Sequence, residues 1–351
     1  FFFQAEAGIR SRSPSRGLGD VYKRQLLDGV LVDATLLWFQ LACSAGVILF
    51  AATYMADSAE TISIRTGLGR TFIGVVMLAT ATSLPELGTG VSSIVWLDEP
   101  DLAAGDAFGS NLFNLLIIGV LDFFWRDGPL LNRVSMTAVL IAALGILTIG
   151  IAASGIFIHH EIEFASDSII SPVSILILGT FVFAMWMLYR SDESSTGSNS
   201  KPASSLRKAL LVYGVAASTV VVAAIWLAYT GDSLAEELGL ERSFIGTQFL
   251  ALSTSLPELA ASIAAIRLGA PELAIGNVLG SNLFNMGFVL FLDDVVYTDG
   301  PLWEIVAPVH MFTALTAILM TSVVVIALSL IHISEPTRRT PISYAVFWLK
   351  K

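Results

Sequence analysis

Apolar residues run along this chain in blocks long enough to cross a membrane, broken by short turns rich in glycine, proline and charge. Leu36–Met55 and Val134–Ile158 are two such blocks, each near or above the ~20 residues that span a hydrocarbon core as an α-helix. Hydropathy and turn signals predict spans at 35–56, 70–96, 101–121, 133–158, 169–189, 208–230, 243–266, 272–292 and 303–328. Ile342–Leu349 is too short to add a tenth. The predicted fold class is all-α integral membrane, because helices in lipid satisfy their own backbone groups and need no aqueous core.

The polar words between and within these blocks repeat. Gly67–Gly74 (GLGRTFIG) returns as Gly239–Gly246 (GLERSFIG), and Thr82–Leu87 (TSLPEL) as Thr254–Leu259. Gly109–Asn114 (GSNLFN) returns as Gly280–Asn285, and Asp127–Leu130 (DGPL) as Asp299–Leu302. The offset is 172 for three pairs and 171 for GSNLFN. Four words in one order are not a by-product of shared hydrophobicity. Each copy holds five spans, an odd number, so the second copy starts on the opposite side of the membrane. That is an inverted-topology repeat, an architecture of secondary transporters whose sites lie at the midplane where the copies meet.

Charge placement supports the inversion. Arg65 and Arg70 follow the first predicted span, Arg126 and Arg133 the third, Arg190, Lys201, Arg207 and Lys208 the fifth, and Arg267 the seventh. The even-numbered connections are acidic, from Asp98 and Glu99 through Glu161 and Glu163, then Glu236 and Glu237, to Asp293 and Asp294, relieved only by Arg242. The positive-inside rule places the odd connections in the cytoplasm. The expected organisation is a first repeat at 34–190, a cytoplasmic linker at 191–207 and a second repeat at 208–328. Segments 1–33 and 329–351 are expected to carry no function. Arg10–Gln25 and Ser329–Thr340 read like translated sequencing adapter, and the last helix of the second repeat is then missing or replaced.

Composition agrees: 55% of the chain is hydrophobic and 14% charged, with mean hydropathy +0.76, where soluble domains carry about a quarter charged residues. The net charge of −10 and the lack of a basic, aromatic-interleaved stripe argue against nucleic acid as a partner. Cys43 lies in an apolar run and reads as a small buried hydrophobe. Nothing in the spans pairs Ser with His, or His with His, so an enzyme is not expected.

Two carboxylates stand out. Glu86 and Glu258 lie near the middle of the second and seventh predicted spans, where a charge costs several kcal/mol and requires a partner or a task. No Lys or Arg occurs between Thr71 and Leu97, so the partner is a cation or a proton. Pro85 and Pro257 lack an N–H and free the carbonyls of Ala81 and Ser253. Those carbonyls, with the hydroxyls of Thr82, Ser83, Thr254 and Ser255, form an all-oxygen environment of the kind hard cations prefer. A Pro-kinked helix with a packed, protonated Glu is the structural alternative. In GSNLFN, Ser110 and Asn114 share a helix face, as do Ser281 and Asn285. Gly109 and Gly280 suit close helix packing. Asp106 stands one turn before Ser110, where the second copy has Asn277. It either faces the cavity as an extra charge or lines the outer mouth.

With both words present twice and in order, the sequence resembles the sodium/calcium exchanger family of cation/Ca2+ antiporters, in its compact prokaryotic form, over about residues 35–328. The resemblance implies ten helices in two inverted halves and a central Ca2+ site on Glu86 and Glu258, completed by Thr82, Thr254, Asn114 and Asn285. It implies flanking Na+ sites that use Ser83, Ser110, Ser255, Ser281 and the carbonyls near Ala79 and Ala251, with Thr82 and Thr254 within reach. The ions Ca2+ and Na+ are then substrates, the bilayer is the partner, and no resident cofactor is expected. Ala81 and Ser253 depart from the family's usual Gly before TS. Asn285 replaces an Asp found in some members, potassium-dependent ones included, which argues against K+ co-transport. A Ca2+/H+ antiporter on the same fold, or an inactive truncated product, are the competing expectations; a channel lacks a filter loop here. The His159–Glu163 segment reads as a solvated outer loop, and the Ser-rich linker is too short for a regulatory domain.

Overall fold

The computed structural model describes residues 34–96, 98–126, 128–162, 168, 170–192, 205–237 and 252–348. Within them the regular elements are all helical. In chain order they are α1 (Ala34–Thr66), α2 (Arg70–Val95), α3 (Pro100–Phe124), α4 (Met136–Glu161), α5 (Pro172–Asp192), α6 (Leu206–Glu237), α7 (Leu256–Arg267), α8 (Pro271–Val296) and α9 (His310–Trp348). All but α7 are long and apolar enough to cross a membrane. The described part of α7 has 12 residues; the start of its predicted span, 243–251, lies outside the described residues.

Local chemistry sets the boundaries. Pro100 and Pro271 open α3 and α8, where a missing N–H costs nothing. Gly67 and Gly269 follow α1 and α7 with φ of 76° and 73°, a conformation glycine adopts freely. Several boundaries differ from those the hydropathy predicts. α1 and α6 do not stop at 56 and 230 but run to Thr66 and Glu237, because a helix end that has left the apolar layer tolerates charges such as Asp57 and Glu60. There the Arg70 guanidinium binds the Glu60 carboxylate in bidentate fashion, tying α1 to the start of α2. The ninth span begins at His310 rather than 303; Leu302–Glu304 is a separate 3-10 turn. α9 continues past 328 to Trp348, so Ile342–Leu349 is largely its extension rather than a separate element.

One acidic position read as loop charge is instead structural. Asp294 is fully buried, and its two oxygens accept the backbone N–H groups of Leu302 at 2.7 Å and Ser171 at 2.8 Å. Asp122, its equivalent in the first repeat, accepts the N–H of Leu130 at 2.7 Å. Each carboxylate thus pins the turn at the end of its DGPL word. The His159–Glu163 loop is also corrected, since α4 carries His159 and His160 to its end. His159 is buried, its Nδ1 donating to the Gly155 carbonyl at 2.9 Å and its Nε2 accepting from the Ser171 hydroxyl at 3.2 Å.

The packing is inside-out relative to a soluble protein. Phe39, Phe50, Val215, Val222, Phe312 and Val323 are exposed, as lipid-facing side chains must be, while hydroxyls, amides and carboxylates are buried. α1 and α6 lie along each other and against α7. α2, α3, α7 and α8 form the centre, with α4, α5 and α9 packed around them. α2 and α8 meet backbone to backbone. A Cβ on Gly74 would lie 2.6 Å from the Leu273 carbonyl oxygen, one on Gly276 2.7 Å from that of Thr71, and one on Gly280 2.8 Å from Val75 Cα. Helices in lipid associate by such close approach, because apolar side chains gain little by leaving lipid for each other.

Candidate functional site

Where α2, α3, α7 and α8 converge, the repeated words meet. α2 is irregular there. It runs as a π-helix over Gly74–Ala79, resumes as α-helix, and turns at Ser83 (φ −89°, ψ 4°) before Pro85. The hydroxyl of Tyr213 on α6 donates to the Met77 carbonyl inside the π segment at 2.6 Å. α8 widens into a π-helix at Asn285–Val289, starting on the last residue of its GSNLFN word; α3 does not. Such widened turns recur at functional sites because they re-aim side chains and carbonyls.

The two carboxylates are both buried yet differently served. Glu258 Oε1 accepts from the Ser83 hydroxyl of the first repeat and the Ser281 hydroxyl of the second, each at 3.2 Å. Its Oε2 has no donor among the described residues. Among the described residues Glu86 has no donor on either oxygen, although the Ser110 hydroxyl lies beside it and Glu258 and Asp106 are within electrostatic reach. The Thr82 hydroxyl faces the Leu78 carbonyl at 3.0 Å and Asn277 Oδ1 at 3.3 Å, with Ser281 Oγ at 3.5 Å. The Ala79 carbonyl already accepts the Ser83 N–H at 2.9 Å, leaving one lone pair for anything else. Ala251 lies outside the described residues.

Ser110, Ser255, Asn114 and Asn285 are buried with side-chain oxygens that no hydrogen bond among the described residues satisfies. The result is a buried pocket of carboxylate, hydroxyl and amide oxygens, with no Lys or Arg between Arg70 and Arg126, or between Arg267 and Arg338. Buried oxygens without donors are costly unless a cation sits among them.

Asp106 faces this pocket rather than solvent. It is 3% exposed and accepts from the Thr89 hydroxyl at 2.6 Å and from the Thr254 hydroxyl of the other repeat at 3.3 Å. Three participants escape sequence reasoning. Thr89 carries no recurring word. Asn277 donates to the Glu258 carbonyl at 3.3 Å and to Ser262 Oγ at 2.9 Å; its pairing with Asp106 across the repeats was the available signal. Asn282 donates to the Asn111 carbonyl at 3.3 Å, joining the two GSNLFN words.

The fold and this pocket define a multi-pass membrane protein of the cation-transporter class. The chain belongs to the sodium/calcium exchanger protein family, whose model matches residues 36–190 and 208–349. It is similar to the inner membrane protein YrbG of Escherichia coli, 26% identical over 274 residues that cover 71% of this chain and 77% of that one. It is also similar to the sodium/calcium exchanger MaX1 of Methanosarcina acetivorans, 28% identical over 278 residues, 70% of this chain and 78% of the other. Among solved structures, the sodium-calcium exchanger NCX_Mj soaked with 10 mM Na+ and no Ca2+ aligns with a TM-score of 0.67 and 20% identity over 85% of this chain and 92% of that one, a likeness of fold. The family is one of transporters, whose ions are cargo rather than resident cofactors.

Proposed function

We propose that the chain exchanges Ca2+ for Na+ by alternating access, with Ca2+ held between Glu86 and Glu258. One observation carries the reading: two buried carboxylates, one from each inverted repeat, share a pocket in which Glu86 and Glu258 Oε2 have no hydrogen-bond donor and no basic neighbour among the described residues. Thr82, Thr254, Asn114 and Asn285 complete the Ca2+ shell. Ser83, Ser110, Ser255, Ser281 and the carbonyls of Ala79 and Ala251 serve Na+. One Ca2+ or two Na+ neutralise the same pair of carboxylates, so the ions compete for the same charge. A pocket left at −2 is costly to carry through the membrane. The inward Na+ gradient then drives Ca2+ outward.

The decisive experiment is 45Ca2+ uptake into vesicles loaded with Na+, with and without a pH gradient. Uptake that follows the Na+ gradient supports the reading. Uptake that follows only the pH gradient replaces it with Ca2+/H+ antiport. Asp106 makes the Ca2+-bound pocket −1 and so calls for a further cation. Asp106→Asn is therefore expected to keep measurable exchange but flatten its dependence on Na+ or pH. Profiles that superimpose on the wild type from pH ~5.5 to 8.5 would remove Asp106 from the ion balance.

The charge alternation supports a two-repeat organisation, 34–190 and 208–328, with the linker 191–207 in the cytoplasm. A cysteine at Ser198, in a Cys43→Ala background, should react with an impermeant thiol reagent only after cells are opened. Labelling of intact cells would reverse the orientation.

A further inference from the structure

Among the described buried carboxylates, two have no hydrogen-bond donor on either oxygen: Glu86 and Asp293. Asp106 and Asp294 are satisfied on both oxygens, and Glu258 on one. Asp293 is thus in the same electrostatic condition as Glu86, yet it lies outside every repeated word. It is fully buried near the end of α8, just past the π-helix that follows Asn285.

Its neighbour on α2 is Gly90, one turn beyond Glu86. A Cβ there would come within 2.7 Å of Asp293 Oδ1 and 3.0 Å of Oδ2, so the glycine makes room for the carboxylate. One turn is about 5.4 Å along the helix, which puts Asp293 next in line after Glu86 toward the end of α2 that leads to Asp98 and Glu99. The intervening residue, Thr89, donates to Asp106. The charged groups that act on Asp293 are Asp106 from α3 and Asp294 beside it. The other elements against this end of α8 are α5 and the Leu302–Glu304 turn, which adds only the acidic Glu304. Among the described residues no basic group acts on it.

Asp293 and Asp106 are both departures from the internal repeat. Their counterparts are Leu121 and Asn277. Two extra carboxylates, one from each half of the chain, have been brought together beside the pocket. Asp106 already accepts two hydroxyls, whereas Asp293 accepts no hydrogen bond among the described residues, so a bound cation gains most at Asp293.

We propose that Asp293, with Asp106 and Thr89, forms a further binding position for one monovalent cation, Na+ or a proton, in series with Glu86 on the outer side of the pocket. The proposal rests on the transport reading only in placing this position on the ion path. Occupancy here offsets one of the two charges that Asp106 and Asp293 add, and links cation binding at the outer mouth to loading of the central pair.

The test is a count of bound cations on the purified full-length chain. 22Na+ binding is measured at fixed pH, and proton uptake by potentiometry in Na+-free buffer. Asp293→Asn, which keeps the side chain's shape, should bind one monovalent cation fewer than the wild type. The loss falls in the Na+ arm if Na+ is the occupant, and in the proton arm if a proton is. Gly90→Ala retains the carboxylate but displaces it, and should show the same loss; it decides the matter if Asp293→Asn is not monodisperse. Equal counts for wild type and variant in both arms overturn the position. A wild type that loses the cation on mutation yet shows no Na+-driven Ca2+ flux refutes the exchange reading and leaves this one standing.

Discussion

Glu86→Gln, with Glu258 intact, is expected to abolish Ca2+ transport while the protein still inserts and folds. Gln keeps the shape of Glu but removes half the charge that compensates a divalent ion. Removing one partner of a buried charge pair costs about 3–5 kcal/mol, and each 1.4 kcal/mol is tenfold, so a loss of Ca2+ affinity of at least about 100-fold follows. The folding side of the prediction has the opposite sign. Glu86 receives no hydrogen bond, so the substitution breaks none and relieves an unpaired buried charge. Melting of Glu86→Gln without Ca2+ should therefore match or exceed that of the wild type. The upward shift in Tm that Ca2+ gives the wild type, by binding only the native state, should vanish. Glu258→Gln should lose transport as well but is less neutral for folding, because Oε1 holds Ser83 and Ser281 together across the repeats. Full Ca2+/Na+ exchange by both single variants would sink the assignment.

The parts of this molecule that sequence conveys are those written twice. Glu86 and Glu258 are legible because an intramembrane carboxylate is conspicuous and its recurrence at an offset of 172 excludes accident. The central four-helix arrangement follows from the same words, since inverted copies must face each other to share a midplane site. Features written once are hidden. Asp293 stands next to Asp294, ahead of Asp299 and Glu304, and hydropathy cannot distinguish a buried acid from a solvated one at a span's edge. Its burial follows from Gly90 on another helix, 203 positions away in the chain. Thr89 is silent for the same reason: a lone threonine acquires meaning only when Asp106 is placed 2.6 Å away. The π segments at Gly74–Ala79 and Asn285–Val289 have no periodicity signal, because one widened turn barely shifts an apolar pattern. The overrun of α1 and α6 into charged residues is a limit of hydropathy itself, which marks where lipid ends and not where a helix does.

Gly280→Val is expected to destabilise the protein and empty the pocket together, and Gly276→Val to do the same. A Cβ on Gly280 would lie 2.8 Å from Val75 Cα and 2.9 Å from Ala79 Cβ, and one on Gly276 would lie 2.7 Å from the Thr71 carbonyl oxygen. These obstacles are backbone, or atoms fixed to it, and cannot rotate aside, so α8 must move away from α2. Overpacking of this kind costs about 1–3 kcal/mol or more. The displacement also acts on the site, because α8 carries Ser281 and Asn277 next to Gly280. Ser281 donates to Glu258 at 3.2 Å, and Asn277 Oδ1 receives the Thr82 hydroxyl at 3.3 Å. A shift of an ångström breaks both and spoils the oxygen shell for Ca2+ even in molecules that remain folded. Gly145→Ala on α4 is the control, since nothing lies within 4 Å of the added methyl. It should be neutral or stabilise by about 0.4–1 kcal/mol through the lower entropy of the unfolded chain. The measurements are Tm of the purified proteins and Na+-driven 45Ca2+ uptake. If Gly280→Val and Gly276→Val retain wild-type Tm and uptake, α2 and α8 do not pack as described, and the pocket assembled on their contact loses its foundation.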